Sequence, residues 1–338
     1  MRRTLVLFTL AALACGKSSS SGGDDGTAKA PNVAFLLSTL QEERYQKDKK
    51  YFEDEAKKQG LSAFTFSADN DNSRQLAQVE DALSRGAKVL VIQPTDSAAA
   101  AAYVGKAHEK GAKVVAYDRS IRGDADFYVA HDSHAVGVMQ AEAAIKATGG
   151  KGNFVLLDGQ SGHSVASEIA RGYHDTLDPY VQKGDVKIVV EKSHDAWAPE
   201  QALKTVEDAL AKTKGDLQAV LANNSGMARG AVQAVQAAGK AGVFIAGADA
   251  DAANANFVCE GKQSVEVLKD IKPLAEKAAQ VAASLAMGKS VEGGTPLPGT
   301  KTPVIAVPVL LVDAGNAKAL LVDSGFHQAS AVPACAKR

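Results

Sequence analysis

Short aliphatic runs alternate with single helical stretches that stop on glycine, and this alternation limits the possible folds more than any other feature of the chain. Val33–Leu37 leads into a charged stretch closing near Gly60. Ala63–Phe66 leads into Ser73–Arg85 and Gly86, Val89–Ile92 into Ser97–Lys110 and Gly111, and Val114–Tyr117 follows. Asn72 and Asp96 stand where N-caps are expected, and each glycine stands where a helix should end. Strands this short, each followed by one helix, form right-handed βαβ units and a parallel sheet covered on both faces. After Phe127–Ala130 the pattern restarts, with Phe154–Leu157, Ile188–Val190, Ala219–Leu221 and Val243–Ile245 as strands. Two successive α/β blocks predict two lobes with a cleft between them. Ser264–Leu268 and Val309–Val312 have no block of their own and are expected to be crossings between the lobes.

The N-terminus addresses the chain out of the cytoplasm. Arg2 and Arg3 precede the apolar stretch Leu5–Ala14, then Cys15 and Gly16. A basic start, a short apolar core and small residues before a cut site describe a secretory signal. A membrane span would need about 20 apolar residues. Ala12-Leu13-Ala14-Cys15 resembles the lipobox of bacterial lipoproteins, with Ala12 where leucine is commonest. That likeness implies removal of residues 1–14 and a lipid on the Cys15 sulfur, so the only membrane attachment expected is this anchor. Residues 15–30, rich in Ser, Gly, Asp and Lys, read as a flexible tether. The rest is long enough for two lobes of ordinary domain size. A formal net charge of −1 leaves no electrostatic footprint for nucleic acid. Cys259 and Cys335 either pair, as an oxidising compartment allows, or remain thiols.

Asp118-Arg119 ends the apolar run KVVAYDRS and so falls at the carboxyl end of a strand, where open α/β sheets bind ligands. Other polar or aromatic residues share that position. Arg44 and Tyr45 follow the first strand; Trp197 lies in SHDAWAPE, after Ile188–Val190. Asn223 and Asn224 follow Ala219–Leu221, Asp249 lies in GADAD, and Lys269 ends the late strand. Singly each reads as a turn residue; together they suggest a site. Arg44, Asp118, Arg119, Asn224, Asp249 and Lys269 offer charge-assisted hydrogen bonds to hydroxyls, and Tyr45 and Trp197 offer flat apolar faces. This chemistry suits a neutral pyranose. A phosphorylated ligand fits less well, since no GxxxxGK[ST] loop is present.

The stretches ERYQKD (Glu43–Asp48), KVVAYDR (Lys113–Arg119), DFYVAHD (Asp126–Asp132), DAWAPEQAL (Asp195–Leu203), GADAD (Gly247–Asp251), VEVLK (Val265–Lys269) and DSGFH (Asp323–His327) resemble the periplasmic sugar-binding proteins of ABC importers, their xylose-binding branch above all. The likeness runs from about Asn32 to His327. It implies two Rossmann-like lobes, 31–132 with 270–308 and 133–269 with 309–330, joined by three crossings, with 331–338 as a tail. It also implies a monomeric, cofactor-free protein that closes over one monosaccharide, D-xylose foremost, and delivers it to a permease. Arg44, Asp118, Arg119, Asn224, Asp249 and Lys269 match hydrogen-bonding positions of the family. Trp197 matches its stacking aromatic, and Tyr45 stands where the xylose branch carries tryptophan. Two places depart from the pattern. The family's Asp-Asn-Asn loop is replaced by His163, Ser164 and Val165, which makes His163 a further ligand candidate, and Ser133 stands where relatives often have Asn.

Other function classes have weaker support. No GxSxG elbow marks a nucleophilic serine. His131 and His134 have the spacing of a metal pair but lie in a hinge loop. Asp118 and Asp249 could pair as in a glycosidase, but neighbouring cations are expected to keep both ionised and poor proton donors. A lactose-repressor-type regulator would need an N-terminal helix-turn-helix, where this chain has a signal sequence. A sensing module would share the same binding site as a transport protein.

Overall fold

The computed structural model describes residues 32–296 and 300–338. The signal sequence, Cys15 and the tether lie outside the described residues. The chain starts with β1 (Asn32–Leu37), α1 (Glu43–Lys58), β2 (Ser62–Ser67), α2 (Asn72–Ser84), β3 (Val89–Ile92), α3 (Ala101–Glu109), β4 (Lys113–Tyr117) and β5 (Phe127–His131). It continues through α4 (Ser133–Thr148), β6 (Gly152–Asp158), α5 (Ser164–Gln182), β7 (Val186–Ser193), α6 (Pro199–Lys212), β8 (Ala219–Ala222), α7 (Ser225–Ala237), β9 (Phe244–Ala248), α8 (Ala252–Glu260) and β10 (Val265–Lys269). It then forms α9 (Ile271–Ala286), β11 (Thr295–Pro296), β12 (Pro303–Val307), β13 (Val309–Val312) and α10 (Pro333–Ala336).

Two sheets result, in the order β11-β12-β5-β4-β3-β1-β2 and β13-β10-β9-β8-β6-β7. Pairing is parallel except at the β11–β12 and β10–β13 edges. The chain passes from one sheet to the other at three places: at Asp132, at Asp270 and at Pro308. These are the three crossings implied by the family likeness. β10 and β13 are ordinary members of the second sheet, however, so the crossings lie just after the one and just before the other. The expectation that these strands themselves bridge the lobes is corrected accordingly: each finds its ladder partner within one sheet.

Both faces of each sheet are buried, as short aliphatic parallel strands require. Because side chains alternate along a strand, Phe35, Leu37, Val91, Val115 and Tyr117 pack with α1 and α9, while Leu36, Leu90, Ile92 and Val114 pack with Val79, Tyr103 and Val104 on the other side. Burying each of these large side chains stabilises the fold by about 1.5–3 kcal/mol. In the second lobe α4 and α5 cross closely. A Cβ at Gly137 would sit 2.1 Å from the Ile169 carbonyl oxygen, and one at Gly172 2.3 Å from that of His134.

Local punctuation differs in detail from expectation. Asp71, not Asn72, caps α2, accepting from the Arg74 N–H at 2.7 Å; Asn72 is already helical. Asp96 accepts from the N–H groups of Ala98 and Ala99, at 2.8 and 2.7 Å, and so caps the turn that leads into α3. Cys259 and Cys335 form a disulfide that fastens α10 to α8. His327 adds a second tie, through its Nε2 to the Ala250 carbonyl at 2.7 Å.

Candidate functional site

The carboxyl ends of the parallel strands in the two sheets face each other across the cleft. Arg44, in the first turn of α1, occupies the centre at 3% exposure. Its Nη2 donates to Asp118 Oδ1 at 3.1 Å, its Nε to Asp48 Oδ2 at 3.4 Å, and its Nη1 reaches across to Asp249 Oδ1 at 3.4 Å. Burial works against this guanidinium, but Asp118, Asp48 and Asp249 outweigh it and raise its pKa well above the ordinary value. Asp118 shows the reverse. Burial opposes its ionisation, yet Arg44, Lys269 and Arg119 hold its carboxyl well below the usual range. Its second oxygen accepts from Gln93 Nε2 at 3.0 Å, and Gln93 is itself oriented by Ser38, whose Oγ and N–H donate to Oε1 at 2.8 and 3.1 Å. Asp48 also accepts from the Tyr117 hydroxyl, and burial lifts its pKa to about 6 against the pull of Arg44.

In the second lobe, Lys269, the last residue of β10, donates to Asp249 Oδ1 at 2.7 Å. Asn224 caps α7, its Oδ1 accepting from the Met227 N–H at 2.8 Å. Asn223 points the other way, accepting from the Gly159 N–H at 2.9 Å and contacting the Tyr173 hydroxyl at 3.3 Å, so it supports the fold beneath the site. Trp197 is 6% exposed and seats its ring against the bare backbone of Gly159: a Cβ there would lie 2.3 Å from the indole Cη2. On the facing side, Arg119 Nη2 donates to the Tyr45 hydroxyl at 3.2 Å and Nη1 to the Pro94 carbonyl at 3.2 Å. Burial raises the Tyr45 pKa, keeping the phenol protonated.

The backbone is strained where it delivers these groups. Asp118 (φ 61°), Ala196 (53°), Trp197 (56°), Asp249 (95°) and Ala250 (55°) all adopt left-handed conformations without being glycine. Each such residue costs of order 1–3 kcal/mol, and clustering of that kind is typical of functional sites.

A narrow cavity of about 20 Å³ lies between the lobes. Its walls are Glu42, Arg44, Tyr45, Asp118 and Arg119 from one lobe, and Val165, Trp197, Asn224, Asp249 and Lys269 from the other. Eight of these were singled out in the sequence. The ninth, His163, is not in the wall: it is fully buried behind Trp197, whose Nε1 donates to its Nδ1 at 2.8 Å, and Val165 takes the exposed place. Burial, then Arg119, depress the His163 pKa and keep the ring neutral. With Nδ1 accepting from indole, Nε2 carries the proton and has the Thr95 main chain as acceptor. The approach of Arg119 Nη1 to Nε2 at 3.3 Å is then a packing contact between two donors. His131 and His134 also separate: one reaches the Asp270 carbonyl at 3.1 Å, the other Asp175 at 2.7 Å.

Three contributors escaped the sequence reading, Glu42, Asp48 and Gln93, and Val165 entered it only as a departure from the family's loop. Gln93 follows β3 immediately, so the strand-end signal that marked Asp118 would have found it. The assembled cavity offers ionised acids and bases in fixed pairs, amide and hydroxyl groups, and two aromatic rings. Asp118, held ionised, is an acceptor and not an acid catalyst.

Residues 33–290 match the periplasmic binding protein domain. The chain is 36% identical over 307 residues to the D-xylose-binding periplasmic protein of Escherichia coli, covering 90% of this chain and 93% of that protein. It is 35% identical over 304 residues to the protein of the same name from Haemophilus influenzae, covering 89% and 91%. Among solved structures, an ABC transporter solute binding protein from Clostridium phytofermentans with bound beta-D-glucose superposes with a TM-score of 0.82 at 27% identity, covering 89% of this chain and 99% of that one. With its two α/β lobes, its three crossings and a cavity at the facing strand ends, this chain belongs to the periplasmic binding protein family.

Proposed function

We propose that this chain is an extracytoplasmic sugar-binding protein that closes its lobes over one monosaccharide, D-xylose foremost, and presents it to the permease of an ABC importer. The observation that carries this reading is the cavity wall, drawn five residues from each lobe. A ligand favours the closed arrangement only through contacts with both lobes at once. Arg44, Asp118, Arg119, Asn224, Asp249 and Lys269 would bond the hydroxyls, each charge-assisted bond contributing roughly 1.5–3 kcal/mol. Tyr45 and Trp197 would cover the C–H faces of the ring. The xylose binders of two bacteria among its relatives support the choice of sugar. Anchoring through Cys15 rests on the lipobox-like sequence alone.

A second reading, another pyranose as ligand, is favoured by the glucose-bound relative and by the cavity itself. Val165 supplies an apolar wall where the family's loop carries an amide, and Tyr45 is smaller than the tryptophan of the xylose branch. Calorimetric titration with D-xylose and a panel of pentoses and hexoses decides between them, with Trp197 emission as a parallel readout. Saturable heat with D-xylose at the lowest Kd supports the first reading, and a tighter hexose the second. No heat and no emission change with any sugar refutes both.

A further inference from the structure

Glu42 lines both the inner cavity and a wider, solvent-open cleft that shares Trp197, Asn224 and Asp249 with it. It therefore stands at the junction between the two. Its Oε2 is buried and, among the described residues, has no hydrogen-bond partner. The usual local explanation fails. Glu42 holds the N-cap position of α1, yet its side chain makes no capping bond, whereas Asp71, Asp132 and Asp270 each cap their helices. Arg119, Asp249 and Arg44 are the charged groups around it, and two of these are already engaged, Arg119 with Tyr45 and Pro94 and Arg44 with three carboxylates. Burial accordingly raises the Glu42 pKa, with Arg119 pulling it down only in part. A buried acceptor left without a donor destabilises the fold, and among the described residues Arg119, Arg44 and the Glu42 main-chain N–H, which serves the carboxylate but not Oε2, offset that cost only in part. Only a hydrogen-bond donor can satisfy an ionised carboxylate oxygen.

We infer that Glu42 is a specificity-determining contact whose Oε2 accepts a hydrogen bond from the ligand hydroxyl nearest the mouth of the cleft. The inference rests on the sugar-binding reading and adds to it one residue and one required hydroxyl. A ligand that presents apolar carbon at that position leaves the oxygen unpaired and binds more weakly.

Glu42→Leu and Glu42→Gln are titrated with D-xylose and its 2-, 3- and 4-deoxy analogues, beside the wild type. If another sugar of the panel binds tighter, its monodeoxy series replaces these. Loss of one charge-assisted bond weakens parent-sugar binding by Glu42→Leu roughly ten- to hundredfold. One deoxy analogue should bind the wild type and Glu42→Leu equally, because the contact is absent from both. The melting temperature of ligand-free Glu42→Leu should equal or exceed that of the wild type, since a buried unpaired oxygen has been removed; a residue that merely supported the fold would lower it. Glu42→Gln, which keeps the shape, gives the answer if Glu42→Leu does not fold. Wild-type affinity in both variants, or an equal penalty for every analogue, overturns the inference and leaves sugar binding intact. Absence of sugar binding by the wild type overturns the parent reading instead.

Discussion

Gly159→Ala tests whether Trp197 is a positioned wall of the site. Gly159 follows β6 and does not have the left-handed φ that would itself demand glycine, so the substitution acts through space alone. The added methyl would meet the indole Cη2 at 2.3 Å and Cζ2 and Cζ3 at 2.4 Å, against an ordinary contact of at least 3.4 Å. The ring edge must retreat by about 1 Å, a shift of the size that off-rotamer packing in a filled interior costs about 1–3 kcal/mol. It cannot tilt freely, because Nε1 is bonded to His163 Nδ1 at 2.8 Å and Trp197 already holds a left-handed backbone. Losing that bond costs about 1 kcal/mol more, and moving the ring off the sugar face forfeits about 1.5 kcal/mol, or tenfold in Kd. Calorimetry with the tightest-binding sugar gives the affinity. Emission reports the ring directly, since Trp197 is the sole tryptophan of the chain. Unchanged Kd together with an unchanged emission spectrum would refute the reasoning, because the methyl would then have been absorbed without moving the ring.

Two further outcomes are expected. Gln93→Leu removes the amide that orients Asp118 at 3.0 Å without lining the cavity itself; sugar affinity should fall several-fold, by roughly 0.5–1.5 kcal/mol, and an unchanged Kd would exclude the orienting role. Asp158, whose Oδ1 is buried without a partner among the described residues, has its pKa raised to about 7 by burial and by Glu191. Its folded pKa therefore exceeds its unfolded one, and the folded chain binds the extra proton between about pH 4 and 7. Stability is lost as pH rises through that window. Thermal melts of the wild type should fall between pH 5 and 8 more than those of Asp158→Asn, by up to about 3 kcal/mol; parallel curves would refute the assignment.

Periodicity made the lobes legible because a doubly covered parallel strand must be aliphatic on both faces, and β1, β3 and β4 are. Strand-end position made eight cavity residues legible for the same geometric reason. What escaped depended on direction. Asn223 and Asn224 are neighbours at one strand end, yet one supports the fold and the other faces the cavity, and residue type carries no such sign. His163 was misplaced because a bulky polar side chain in a ligand loop looks like a ligand. The local turn buries it behind the indole and brings Val165 forward, three-dimensional information that a substitution pattern does not hold. Glu42 was invisible for the opposite reason. A glutamate before a helix reads as a solvated cap, and only the absence of the capping bond shows otherwise.

The charges fit the proposed dependence of closure on a ligand. Asp118 is neutralised within its own lobe by Arg44 at 3.1 Å, and Asp249 within the other by Lys269 at 2.7 Å. The ion pair that joins the lobes, Arg44 to Asp249, is the longer at 3.4 Å, beside uncharged bonds such as Ser120 N–H to Ser164 Oγ at 2.7 Å. Each lobe therefore carries its acid already paired, and separating the lobes strands no charge in a low-dielectric interior, where an unpaired ion would cost several kcal/mol. The interlobe ion pair contributes correspondingly little to closing. A strong one would hold the cleft shut whether or not a ligand was present, and would lower the fraction of chains able to admit it. With Asp249 shared between Lys269 and Arg44, the remaining oxygens and N–H groups of the two lobes are left for the proposed ligand, whose contacts, made to both sides at once, would supply the difference in free energy between open and closed.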